Sequence, residues 1–109
     1  MDQQQHSLAG ALDTLWTKFL PEMEERVARL ETASAAFAQN ALSEDEQEAA
    51  HSAAHKLAGV LGTFGLTRGT ELARELELTF SRRSAHDPAL GKRLIEIASQ
   101  LRSIVVSRK

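Results

Sequence analysis

The chain is poor in several residue types on which whole classes of protein depend. Among its 109 residues it has no cysteine, no tyrosine, two prolines and only 5% aromatic residues. The lack of cysteine excludes disulfides, thiolate chemistry and cysteine-bound metals. No apolar run approaches the roughly 18 residues of a membrane span, and the start of the chain has no signal-peptide pattern. We therefore expect a cytoplasmic protein.

The charge is nearly balanced, which gives no reason to expect a nucleic-acid or membrane partner. The formal net charge is −2, and 26% of the residues are charged. No basic block appears before the short tail Arg108-Lys109. The length suits a single domain over residues 1–109, with one modest core. Met1 and the absence of a linker favour a free-standing protein, and we expect a monomer.

Helical periodicity covers almost the whole chain, and no strand pattern persists. Apolar residues recur in steps of three and four, which predicts helices at about 6–19, 21–40, 43–65, 68–83 and from Pro88 onward. Pro21 suits the first turn of the second helix. Short connections make consecutive helices antiparallel neighbours. The predicted fold is all-α: an antiparallel up-and-down four-helix bundle with an additional short N-terminal helix as a lid.

The most informative stretch is HKLAGVLGTFG, residues 55–65, near the end of one predicted helix. On a helical wheel, His55 lies about 140° from Ala50 in the apolar seam, outside the core or at its edge. Gly59 and Gly62 fall on the same side as His55, although each interior glycine costs a helix about 1 kcal/mol relative to alanine. Glycines away from the seam do not serve helix packing. They indicate instead that a partner approaches closely to an outward imidazole, and the alternative is that they mark a tolerated weak position near the end of the helix.

The same stretch resembles the motif of the histidine-containing phosphotransfer (HPt) family. That motif is His-x-Leu-Lys-Gly, small residues and a further glycine, followed by a helix that ends near Leu-Glu. The matching residues here are His55, Leu57, Gly59, Gly65, Leu72, Ala73, Leu76 and Glu77. The segment GTFGL at 62–66 is also similar to the phosphotransfer domain of chemotaxis histidine kinases. The motif covers residues 51–77, and the helix plan extends the resemblance to most of the chain.

The resemblance implies a phosphoryl carrier in two-component phosphorelay signalling. Such domains take a phosphoryl group from the aspartate of a response-regulator receiver domain and pass it to another, in pathways with a hybrid histidine kinase. The resemblance makes His55 the phosphoryl acceptor and donor. It also implies that the chain has no intrinsic cofactor and that the receiver supplies Mg²⁺. The resemblance also implies no ATP-dependent kinase activity, and the lack of a phosphate-binding glycine loop agrees with this expectation. The outward residues expected to touch the partner are Ser52, Lys56, Gly59, Gly62 and Thr63.

One departure from the family pattern concerns the positive charge beside the histidine. The family's lysine is Ala58 here, and a second departure places Val60-Leu61 where the family has two small residues. A phosphotransfer domain that lost its activity together with this lysine is therefore a further alternative. Lys56 is nearest in sequence but lies about 100° from His55 around the helix. Arg74 and Arg82 become neighbours of this helix if the chain reverses at Gly65. The partner is a further source, and the sequence leaves these alternatives open.

Two other functions compete with the phosphorelay. His51 and His55 are four residues apart on a helix and could bind one metal ion, with Glu48, His86 or His6 as a third ligand. This pair lacks the glutamate of the zinc-protease motif, and we favour His51 as a half-covered histidine, with no metal. The other alternative is a non-catalytic helical interaction module. Replacing His55 by glutamine separates it from a relay, because only a relay would lose phosphoryl transfer.

Overall fold

A computed structural model of the chain describes residues 2–82 and 87–108, with side chains from Leu8 onward. This part consists of four helices: α1 (Asp2–Ala38), α2 (Glu44–Thr63), α3 (Thr67–Phe80) and α4 (Pro88–Arg108). Consecutive helices pack together and α1 also packs against α4, whereas the described backbones of α2 and α4 do not approach each other within 8 Å between Cα atoms. The prediction of an all-α four-helix bundle is confirmed, with α2 and α4 at diagonal corners. None of these helices is both long and apolar enough to cross a membrane.

The prediction of an additional short N-terminal helix is wrong, because α1 continues unbroken through Pro21. Proline lacks a backbone N–H and removes one helical hydrogen bond, at a cost of about 3 kcal/mol. The buried face of α1 nevertheless continues across it, from Trp16 to Met23 and Val27. Burying side chains of this size contributes roughly 1.5–3 kcal/mol each. Packing on both sides of Pro21 therefore outweighs the local penalty, and residues 6–19 form no separate lid.

The predicted apolar seam of α2 is confirmed. Ala50, Ala54, Leu57 and Leu61 are all fully buried. On α1, by contrast, two leucines of the apolar periodicity are exposed, Leu8 at 63% and Leu15 at 40%. In the described part of the chain, α4 reaches that end of α1 through Arg108, which is 3.0 Å from Asp13, but both leucines stay uncovered. Among the described side chains, the buried apolar core comprises Trp16, Met23, Val27, Leu30, Ala33, Phe37, Ala50, Ala53, Ala54, Leu57, Ala58, Leu61, Leu72, Ala73, Leu76, Phe80, Leu94, Ile97, Ala98, Leu101 and Val105.

Caps and a left-handed turn fix the ends of the helices. Ser43 Oγ accepts a hydrogen bond from the Glu46 N–H at 3.1 Å, and Glu46 Oε1 accepts one from the Ser43 N–H at 3.3 Å, which is a capping box. Gly65 has a φ of 71° and reverses the chain between α2 and α3. Asp87 Oδ1 accepts from the Ala89 N–H at 2.9 Å and caps α4. The reversal at Gly65 makes α2 and α3 an antiparallel pair.

Two bidentate ion pairs link α4 to its neighbours. Arg93 donates from Nε and Nη2 to the two carboxylate oxygens of Glu75 on α3, each at 2.9 Å. The hydrogen bonds from Arg93 hold the pKa of Glu75 below its usual value. Arg102 donates in the same way to Glu31 on α1, at 2.6 and 3.3 Å. Partly exposed pairs of this kind contribute about 0.2–1 kcal/mol each, so they support the register more than the stability of the bundle.

Candidate functional site

His55 lies on the outer surface of α2, and its side chain is 68% exposed. Its Nδ1 atom is 2.7 Å from Oε2 of Glu77 on α3. An ionised carboxylate can only accept a hydrogen bond, so Nδ1 carries the proton and donates it to Glu77. In the neutral ring the lone pair then belongs to Nε2. The site therefore presents an accessible imidazole with a defined tautomer and a nucleophilic Nε2.

Glu77 is the residue at this site to which the sequence assigned no chemical role. Its side chain is only 20% exposed, and its second oxygen, Oε1, is 3.9 Å from Nη1 of Arg74. Arg74 thus contributes a positive charge beside the carboxylate that holds His55. The signal was present in the sequence: residue 77 follows the reversal at Gly65 by about as many residues as His55 precedes it. An antiparallel hairpin therefore places the two side by side.

The glycines near His55 leave the surface of α2 bare. Gly59 is exposed, and a Cβ atom there would meet no described atom within 4 Å beyond its own helix backbone. A Cβ at Gly62 would lie 3.7 Å from Oγ1 of Thr70, which is an ordinary contact. Packing among the described residues therefore requires neither glycine. A side chain at Gly59 would lie over the preceding turn, where His55 stands.

A groove of about 490 Å³ opens beside His55 between α1 and α2. Three predicted partner-binding residues, Lys56, Gly59 and Thr63, line it together. Ser52 is exposed and lines a neighbouring depression with Lys56, whereas Gly62 faces α3. The other residues of the groove are Phe19, Glu22 and Arg26 from α1, Val60 from α2, and Phe64 directly after the end of α2. An apolar floor with a charged rim is typical of a surface that contacts another protein.

The positive charges are distributed differently from the family pattern. Ala58, at the position of the family lysine, is 1% exposed and belongs to the core. Lys56 lines the groove with His55, and so does Arg26 on α1. Sequence reasoning missed Arg26 because only the packing of α1 against α2 brings it there. Arg82 lines a separate depression near the end of α3.

The described residues give the metal-binding alternative no support. His51 is half-buried, as expected, and lines the depression that also contains Glu48. Among the side chains that the structure describes, no group of three or more histidine, aspartate and glutamate residues could hold a metal ion. His86 and the side chain of His6, two of the suggested third ligands, lie outside the described residues.

Comparison with known proteins agrees with this geometry. The family model described as Hpt domain matches residues 14–104, which include His55, Glu77 and the whole of α2 and α3. Protein RcaC of Microchaete diplosiphon is 37% identical over 87 residues, which cover 80% of this chain but only 13% of RcaC. No solved structure matches the chain. The match over most of the chain shows that it belongs to the Hpt domain family, the histidine phosphotransfer domains of phosphorelay signalling.

Proposed function

We propose that this domain relays a phosphoryl group between the aspartates of receiver domains, with Nε2 of His55 as the carrier atom. The observation that supports this most directly is the exposed His55 ring, whose Nδ1 is held by Glu77 at 2.7 Å. A histidine that served only packing would be covered, and one that bound a metal would have further ligands beside it. The open backbone at Gly59 leaves room for a partner's active site to reach the ring.

The transfer is a displacement at phosphorus. The Nε2 lone pair attacks the phosphorus of the aspartyl phosphate, and the bond from phosphorus to the carboxylate oxygen breaks as the bond to Nε2 forms. The aspartate leaves as a carboxylate, and the ring keeps its proton on Nδ1. Positive charge develops on the ring, next to the carboxylate of Glu77. The reverse reaction delivers the group to a second aspartate, so no proton has to leave the site.

The charge on the phosphoryl oxygens is offset from two sides. Lys56 and Arg26 line the groove of His55 and supply positive charge from this chain. Mg²⁺ held by the receiver domain supplies it from the partner. The partner contacts Ser52, Lys56, Gly59 and Thr63 along the groove side of α2, and Gly62 on the side of α3. Charges placed before the reaction starts stabilise the transition state most effectively.

The test is labelling by a phosphorylated receiver domain. Purified receivers are phosphorylated with radiolabelled acetyl phosphate and Mg²⁺ and mixed with the domain for short times. We expect the wild-type chain to take up label and His55→Gln to take up none, with unchanged helicity in circular dichroism. His51→Gln is the matched control, one turn away on the same helix, and should retain labelling. Label that persists in His55→Gln would refute the assignment of the carrier.

A separate prediction concerns the hydrogen bond from His55 to Glu77. Glu77→Ala removes the acceptor and should slow labelling at least about tenfold, since a hydrogen bond to a charged group contributes about 1.5–3 kcal/mol. Glu77→Gln keeps an acceptor oxygen and should recover part of the rate. Glu75→Ala is the control, because Glu75 lies two residues away and pairs with Arg93 on α4. If Glu77→Ala were as fast as the wild type, Glu77 would have no positioning role.

A further inference from the structure

The two cations in the groove beside His55 differ in their surroundings. Lys56 forms no ion pair with a carboxylate in the described part of the chain. Arg26, by contrast, has Glu22 one turn earlier on α1, and its Nη2 atom is 3.8 Å from Oε2 of Glu22. Among the described residues that line the groove, Glu22 is the single acidic one. One of the two cations that can meet a phosphoryl group therefore already has a counter-ion.

The pair of Arg26 and Glu22 is loose enough to separate. A distance of 3.8 Å exceeds that of a hydrogen bond, so only the attraction between the two charges holds the side chains together. The side chain of Glu22 is 60% exposed, so water and salt weaken this attraction. The side chain of Arg26 is only 23% exposed although it lines the groove. Arg26 can therefore change its partner without leaving the groove of His55.

A phosphoryl group on His55 is a stronger partner for Arg26 than the carboxylate of Glu22. It carries about 1.5 to 2 negative charges at pH 7 and offers three acceptor oxygens. A guanidinium group binds such oxygens through two parallel hydrogen bonds. Glu22, with one negative charge in the same groove, repels the incoming group. Glu22 therefore opposes phosphorylation of His55, both by this repulsion and by holding Arg26.

We propose that Arg26 leaves Glu22 for the phosphoryl group when His55 is phosphorylated, so that Glu22 sets the distribution of this group between His55 and the receiver's aspartate. The inference rests on the proposed function and deepens it. The covalent step is unchanged: phosphorus exchanges its bond to the aspartate oxygen for a bond to Nε2, and the ring keeps its proton on Nδ1. Glu22 acts through Arg26 and is a positioning residue. It keeps phosphorylated His55 from becoming too stable to pass the group on.

The experiment measures how label distributes at equilibrium between the full chain and a receiver domain. The receiver is the one that labels the wild type fastest in the assay described above. Glu22→Gln should shift the equilibrium constant about two- to fivefold toward phosphorylated His55, the range that one partly exposed charge pair supplies. Arg26→Gln should shift it in the opposite direction. Glu22→Asp keeps the charge and should stay closer to the wild type than Glu22→Gln.

Glu71→Gln is the matched control. Glu71 lies 3.7 Å from Arg68 on α3, and its side chain is 63% exposed, so this pair resembles that of Glu22 and Arg26. Neither Glu71 nor Arg68 lines the groove of His55. Because salt screens charges that lie apart from the groove, the control should change the equilibrium constant less than about 1.5-fold. A shift as large as that of Glu22→Gln would mean that any lost surface charge has this effect, which would overturn the inference.

A double-mutant cycle tests whether Glu22 acts through Arg26. In an Arg26→Gln background, Glu22→Gln should shift the equilibrium constant less than it does in the wild type. Equal shifts in both backgrounds would assign the effect to repulsion alone and contradict the exchange of partners. Salt gives a second readout, because the effect of Glu22→Gln should largely disappear at about 1 M salt. An effect that persists there would rule out an electrostatic cause.

The outcomes separate this inference from the proposed function. Label on the wild type with an unchanged equilibrium constant in Glu22→Gln would overturn the inference alone. Failure of the wild type to take label from any receiver would overturn the proposed function and the inference with it. Glu22 is exposed, so its variants should keep the helicity of the wild type in circular dichroism.

Discussion

Replacing Gly59 by alanine should make the protein more stable and a poorer phosphoryl carrier. Gly59 lies in the interior of α2, and a Cβ there would meet no described atom within 4 Å outside the helix backbone. The substitution therefore gains helix propensity without any clash, which is worth about 0.8–1 kcal/mol. A chain of 109 residues has an unfolding entropy near 0.23 kcal/mol/K, so Tm should rise by about 4 °C.

Gly91→Ala is the same chemical change as Gly59→Ala but should lower the stability of the protein. A Cβ at Gly91 would lie 2.9 Å from Cα of Ala38, which is backbone and cannot move aside. Overpacking of this kind costs about 1–3 kcal/mol, which exceeds the gain in helix propensity. We therefore expect a lower Tm for Gly91→Ala. The two variants together show whether the free space beside each glycine decides if Tm rises or falls on replacement by alanine.

Phosphoryl transfer then tests why the chain keeps a glycine at position 59. Gly59→Ala should slow labelling by the receiver, and Gly59→Met should slow it further, because its side chain lies over the turn that carries His55. Both variants should keep the helicity of the wild type. A fall in Tm for Gly59→Ala would refute the reasoning from open space. A rise in Tm with labelling as fast as in the wild type would show that the partner does not need a bare surface there.

Two further substitutions test the fold. Pro21→Ala restores a backbone N–H inside α1 and should therefore raise the free energy of unfolding by at least about 1 kcal/mol. Urea titration measures this change. An unchanged free energy of unfolding would instead favour a helix that starts at Pro21. Glu75→Gln should lower stability at pH 7 by no more than about 1 kcal/mol, because its pair with Arg93 is partly exposed. Since Arg93 lowers the pKa of Glu75 on folding, that contribution is present above the ordinary glutamate value and disappears as the pH falls through the lowered pKa. The thermal stabilities of wild type and Glu75→Gln should therefore converge in acid, and a difference that persists there would refute the electrostatic origin.

The helix pattern was predictable because local signals and packing agree over most of the chain. The apolar seam of α2, the start of α4 at Asp87 and the reversal at Gly65 all follow from local rules. The exception is Pro21, where the local rule favours a helix start and the tertiary structure overrides it. Periodicity also could not show that α1 is longer than the bundle. Leu8 and Leu15 continue the apolar periodicity of α1 and are nevertheless exposed.

The site was predictable to the extent that it lies on one helix. The positions of His55, Gly59 and Thr63 on α2 follow from helical spacing alone. The contribution of Arg26 does not, because it depends on how α1 packs against α2. Glu77 lies between these cases. Its residue type was part of the family motif, but its contact with His55 depends on the register of α2 against α3.

The replacement of the family lysine by Ala58 changes where the positive charge comes from. Ala58 is buried, and its spacing from His55 (i+3) and from Gly62 (i−4) places it next to His55 on the side of α2 that faces α3. Small side chains there allow α3 to lie close enough for Glu77 to reach the imidazole ring. The residue at position 58 therefore serves packing. In our proposal, residues on the other side of His55 offset the negative charge of the phosphoryl oxygens. Lys56 and Arg26 lie there, on the wall of the groove that the receiver occupies in our proposal.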